Sequence, residues 1–179
     1  EAIAKTMRMI VENKPVCLVV GNGVPRSLHA FQQMGAIFIL RAILGDLAKL
    51  DWDEALAAAG QRPVLAGNLP YVLTSLVLFK AAELRGRIAG AVFMIQKEVA
   101  ERLVAVPGGR DYGVLAVVLG SVFTIRQSRT VPASVFWPRP QVHSAVVSLT
   151  PAGDMGDAKF EWFREVVKRM FGQRRKQLA

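Results

Sequence analysis

Asn68-Leu69-Pro70-Tyr71 follows the short apolar run Pro63-Val64-Leu65-Ala66 and Gly67, so a carboxamide, a rigid imide and an aromatic ring stand at the end of a strand read as buried. The carboxamide oxygen of Asn68 and a main-chain carbonyl beside Pro70 are both acceptors. Together they can hold the two protons of an exocyclic amino group. Tyr71 can stack on the ring that carries that amine.

Adenine needs such help, because its amino lone pair is delocalised into the ring and is a poor nucleophile. Two acceptors bent out of the base plane favour a more pyramidal nitrogen and stabilise the charge that grows there during methyl transfer. No metal or strong base is required. Asn68-Leu69-Pro70-Tyr71 resembles the N-[LI]-P-Y motif of adenine-amino methyltransferases that use S-adenosylmethionine. Four residues alone also fit a plain strand followed by a Pro-Tyr turn, so other segments decide. Phe93 to Leu103 (FMIQKEVAERL), Asp111-Tyr112-Gly113-Val114-Leu115, Val135 to Val147 (VFWPRPQVHSAVV) and Phe171 to Leu178 (FGQRRKQL) are similar, in order and spacing, to the KsgA-type ribosomal RNA adenine dimethyltransferases. The resemblance runs from Gly45 to Ala179.

That resemblance implies roles residue by residue. Asn68, Leu69, Pro70 and Tyr71 form the catalytic motif, and Phe136 lies over the target base opposite Tyr71. The base sandwiched between two rings recovers stacking energy of order 1 to 3 kcal/mol per aromatic contact. The cofactor is S-adenosylmethionine, with Val19, Gly21, Gly23, Asp46, Leu47 and Asn68 in the positions that contact it. Gly21-Asn22-Gly23 stands where the family has its glycine-rich loop, Asp46 where an aspartate accepts a hydrogen bond from the cofactor's adenine amine, and Leu47 beside it. Arg139 and the run Arg174-Arg175-Lys176 are the expected RNA contacts. The chain departs from the family pattern in three places: Val19 replaces an acid, Pro25 replaces a glycine, and Leu40-Arg41-Ala42 stand where an acid normally holds the ribose. His143 occupies a position that is commonly aspartate; it reads as a surface histidine able to alter a local loop bond, with no catalytic role. Glu98 and Arg102, four apart on a helix, read as a surface pair.

The bulk properties agree with an RNA partner. Formal net charge is +9 over 179 residues and the isoelectric point is near 10.3, which favours a polyanion over a small acidic metabolite. Hydrophobic residues make up 52% and mean hydropathy is +0.30, yet no apolar run approaches the roughly 20 residues of a membrane span. The single cysteine, Cys17, allows neither an internal disulfide nor a cysteine-based metal cage. The expectation is a cytoplasmic monomer without metal.

Alternating apolar runs and helical stretches predict an α/β fold, a Rossmann-like methyltransferase sheet with helices on both faces and a late antiparallel hairpin. Strands are expected near Val16–Val20, Ala36–Leu40, Val64–Ala66, Ala91–Gln96, Val117–Arg126 and Ser144–Leu149. Helices are expected at Ala2–Glu12, Ser27–Met34, Trp52–Ala59, Leu73–Leu84, Lys97–Val104, Tyr112–Val118 and Phe160–Phe171. The turn-rich segment Gln127–Pro140 separates the last two strands. Residues 1–179 read as one catalytic domain without the helical domain that follows in the family. A strand-helix unit of the family has no room between Leu40 and Gly45, so either the unit has been lost or residues are absent there, and absence is the favoured reading because a deletion would remove a strand-helix pair that helps build the cofactor site. The expected function is dimethylation of adjacent adenosines in small-subunit ribosomal RNA, in the pre-ribosomal small subunit. The alternatives are a large-subunit adenine methyltransferase of the macrolide-resistance type and a catalytically silent RNA-binding assembly factor.

Overall fold

The computed structural model describes residues 16–20, 37–41, 51–58, 62–136, 139–153 and 155–172. The expected helices Ala2–Glu12 and Ser27–Met34, the Gly45-Asp46 turn and the basic run at 174–176 lie outside them.

Among the described residues six strands form one sheet: β1 (Val16–Val20), β2 (Ile37–Arg41), β3 (Val64–Asn68), β4 (Gly90–Gln96), β5 (Phe123–Val131) and β6 (Ser144–Pro151), in the order β2-β1-β3-β4-β6-β5. The first four are parallel, and β6 joins β4 antiparallel before β5 closes the edge. The late hairpin is therefore present. Between β2 and β3 the chain has residues 42–63, which include helix α1 (Trp52–Ala58). That exceeds the minimum of about 10 to 12 residues for a parallel crossover; residues 42–50, where the gap in the family pattern is read, lie outside the described residues.

The remaining described helices are α2 (Thr74–Glu83), α3 (Lys97–Leu103), α4 (Val114–Gly120) and α5 (Asp157–Gly172). Strand alternation divides the core. Leu65, Phe93, Ile95, Val147 and Leu149 face one way and pack with Leu56, Leu78, Ala100, Leu119 and Phe160 of the five helices. Val64, Ala66, Val92 and Val146 face the other way, with Val131, Met94 and Phe136. Gly90 opens β4 because a Cβ there would sit 2.9 Å from the Leu149 carbonyl oxygen.

Two expectations are corrected. The strand expected at Val117–Arg126 begins only at Phe123, and Val117 belongs to α4. Val114 to Leu119 is apolar at every position, so periodicity cannot separate helix from strand there; packing of α4 against α3 and α5 decides. The strand also runs on to Val131, through part of the segment read as turn, with a register shift between Gln127 and Arg129. Its exposed polar residues are those of an edge strand.

Candidate active site

The carboxyl ends of the parallel strands carry the motif. Asn68 is the last residue of β3 and pairs with Met94, and the Leu69 N–H continues the ladder to the Met94 carbonyl at 3.0 Å. Leu69 is 1% exposed and anchors the turn in the core. Pro70, in extended geometry (φ −57°, ψ 137°), then leads into a 3₁₀ turn at Tyr71–Leu73. The Pro70 carbonyl accepts two hydrogen bonds inside this turn, from Leu73 N–H at 3.0 Å and from the buried Thr74 hydroxyl at 3.2 Å. Both its lone pairs are thereby engaged. Among the described residues no hydrogen bond engages the Leu69 carbonyl. Tyr71 is 41% exposed, with its ring open to a ligand.

Parity sets the direction of Asn68. Val64, Ala66 and Asn68 share one face of β3, the face of the smaller core cluster, and Phe136 packs on that same cluster. The sheet thus brings Asn68 and Phe136 to one face although 68 positions separate them in sequence. Phe136 closes a second 3₁₀ turn, Ala133–Val135, donating its N–H to the Ala133 carbonyl at 3.3 Å.

His143 fixes that turn. Its Nδ1 accepts the Ala133 N–H at 3.1 Å, and its carbonyl accepts the Lys97 N–H at the start of α3 at 3.0 Å. One exposed residue so meets the first free donor of two elements at this end of the sheet. Acceptance at Nδ1 places the proton of the neutral ring on Nε2. Sequence reading placed a loop histidine here but not its partner; the support given by Thr74 to Pro70 was likewise missed, though the four-residue spacing is its signal.

Strand order locates a ligand crevice. From β1 the chain steps to β2 on one side and returns to β3 on the other, so the order reverses between β1 and β3. Nucleotide-type ligands bind outside the carboxyl ends at such a reversal. Leu18 pairs with Ala66, which brings Val20, the last residue of β1, level with Asn68. On the other side of β1, Val19 pairs with Leu40 of β2. Gly21, Gly23, Asp46, Leu47, Arg174, Arg175 and Lys176 lie outside the described residues. Arg139 is exposed on the segment that enters β6 at the same end. Glu98 and Arg102 form an exposed pair at 2.6 Å, and among the described residues no helix is long and apolar enough to cross a membrane.

Comparison with known proteins agrees with this geometry. The sequence model of the ribosomal RNA adenine dimethylase family matches residues 40–179. Ribosomal RNA small subunit methyltransferase A of Anaeromyxobacter sp. (strain K) is 44% identical over 159 residues, covering 78% of this chain and 55% of its own length. The chain therefore spans about half the length of the curated relatives it matches. The solved dimethyladenosine transferase of Plasmodium falciparum superposes with a TM-score of 0.73 at 20% identity, covering 99% of this chain and 71% of that one. The solved 23S rRNA methyltransferase ErmE gives 0.58 at 19%, covering 94% and 77%. These two likenesses concern the fold. With most of its length matched by the family and the motif seated at the sheet's carboxyl edge, the chain belongs to the ribosomal RNA adenine dimethylases.

Proposed function

We propose that this chain is the catalytic part of an enzyme that dimethylates the amino group of adenosines in small-subunit ribosomal RNA, using S-adenosylmethionine. The observation that carries this reading is the placement of Asn68 and Phe136 on one face of the sheet, beside an exposed Tyr71 and the strand reversal.

When bound, S-adenosylmethionine supplies an electrophilic methyl group on a sulfonium. The reversal between β1 and β3 fits its nucleoside, with Val19, Gly21, Gly23, Asp46, Leu47 and Asn68 as the residues to hold it. The chain's own task is the amine. Asn68 Oδ1 accepts one amino proton and the Leu69 carbonyl the other, because the Pro70 carbonyl is already committed to Leu73 and Thr74. Two acceptors draw the lone pair out of conjugation and stabilise positive charge on nitrogen as the new bond forms. Tyr71 and Phe136 hold the extruded base by its faces. Buried Ala66, on the Asn68 face of β3, keeps the floor small, which leaves room for the once-methylated amine to return. Arg139, with Arg174, Arg175 and Lys176, is assigned to RNA phosphates.

The test is methyl transfer from labelled S-adenosylmethionine to small-subunit ribosomal RNA in pre-ribosomal particles, with digestion and mass analysis of the nucleosides. Dimethyladenosine is expected, and Asn68→Ala should lower kcat by roughly a hundredfold or more, the scale of losing one preorganised polar contact to the reacting group. Absence of methyladenosine with a folded, cofactor-binding chain would refute the reading.

A further inference from the structure

We infer that Arg126 and Arg129 on the edge strand β5 form a phosphate track that carries RNA toward the base pocket. This inference rests on the proposed RNA substrate and adds a binding surface to it.

In an unbroken strand, residues three apart point to opposite faces. Here the register shift leaves Ser128 as an extra residue: Arg126 lies opposite Ser148, Gln127 opposite Val147 and Arg129 opposite Val146. Without it, position 129 would meet Ala145 and turn to the other face. The bulge therefore re-aims one side chain, as bulges do at sheet edges. Ser148 and Val146 pair onward with Val92 and Met94, members of the cluster on which Phe136 packs. Both arginines consequently stand on the face of Asn68 and Phe136. Asn68, Met94, Val146 and Arg129 form one row across four strands, so Arg129 is three strand spacings, about 14 Å, from Asn68. Arg126 is one two-residue repeat further along the edge, about 7 Å, on the scale of successive phosphates.

Charge supports the same occupant. Residues 112–153 contain Arg126, Arg129 and Arg139 and no Asp or Glu. Both edge arginines are exposed, and among the described residues neither pairs with a carboxylate, whereas Arg85, Arg87, Arg102, Arg164 and Arg169 all do. An unpaired cationic row beside a base-binding face suits a polyanionic strand better than an acidic side chain, since the guanidinium forks match phosphate oxygens.

The experiment measures binding of the chain to a fluorescein-labelled RNA hairpin carrying two adjacent loop adenosines, as a function of salt. Arg126→Ala and Arg129→Ala should each reduce the slope of log K against log salt by about 0.7 to 0.9, nearly additively, and should raise the KM for RNA with kcat unchanged. Lys159→Ala, an equal charge change on exposed α5 at the opposite end of the sheet, is the control and should leave the slope almost unaltered. A double arginine variant with the parent's slope, or a loss matched by Lys159→Ala, overturns the track. A parent that binds the hairpin with the expected slopes but methylates no RNA overturns the methyltransferase reading and leaves the track supported.

Discussion

Replacing His143 by alanine removes one hydrogen bond at the site and leaves every backbone contact in place. The lost acceptor serves the Ala133 N–H at 3.1 Å, and Ala133 is 4% exposed. A buried donor without a partner costs about 1 to 3 kcal/mol. Because His143 itself is exposed, water can reach part of the gap, and the expected loss is about 1 kcal/mol, at the lower end of that range. The same residue seats Phe136, whose N–H donates to the Ala133 carbonyl. Loosening the turn should therefore lower kcat/KM for RNA methylation by roughly fivefold, the equivalent of the same ~1 kcal/mol. Urea unfolding reads the first effect and a methyl-transfer assay the second. His143→Asn should restore both, since its Oδ1 hangs on Cγ as Nδ1 does in histidine. His143→Gln, whose acceptor lies one bond further out, should not. If the alanine variant matches the parent in both assays, or glutamine rescues as well as asparagine, the turn does not depend on this bond.

Arg85 is buried at 9% exposure and donates to the Ala82 and Met155 carbonyls and to Asp157, with its guanidinium 4.7 Å from the Phe160 ring centre. Since the Asp157 side chain is 89% exposed and screened, the cost of Arg85→Met comes mainly from the two carbonyls and the ring, about 2 to 3 kcal/mol in urea unfolding; a loss below half of that would disprove the assignment. The Arg87 guanidinium, by hydrogen bond first and charge second, holds the Asp53 carboxyl below its ordinary value of 3.8. A depressed folded value means stabilisation that is present above the ordinary carboxylate range and is lost as pH falls through the folded value. The difference in unfolding midpoint between parent and Asp53→Asn should accordingly close on acidification below 3.8, and a difference constant from neutral to strongly acid pH would contradict it.

The elements that sequence placed well are those whose burial is one-sided or whose ends are punctuated. β3 ends in Gly67-Asn68 and a proline, α3 begins directly after β4, and both lie within a residue or two of expectation. α4 and β5 were blurred for opposite reasons. The run Val114 to Leu119 is apolar all round and has no period to read, while β5 past Arg126 is so polar that it resembles a turn. An edge strand with one wet face produces that pattern. The bulge at Ser128 was illegible, because only pairing with β6 reveals which residue is extra.

Residue identity told less about the site than the choice of atom does. Pro70 was recognised beside a carbonyl acceptor, but the 3₁₀ turn consumes its own carbonyl and leaves that of Leu69. His143, at a position that the resemblance gives as commonly aspartate, presents an acceptor attached to Cγ, as an aspartate would, and that acceptor meets the Ala133 N–H. The substitution changes charge and shape yet keeps the one feature the turn requires. A departure from a motif is therefore weighed by whether the replacing side chain can present the same acceptor at the same distance along its chain. By that measure His143 supplies the acceptor the turn requires, and the turn that carries Phe136 keeps its support.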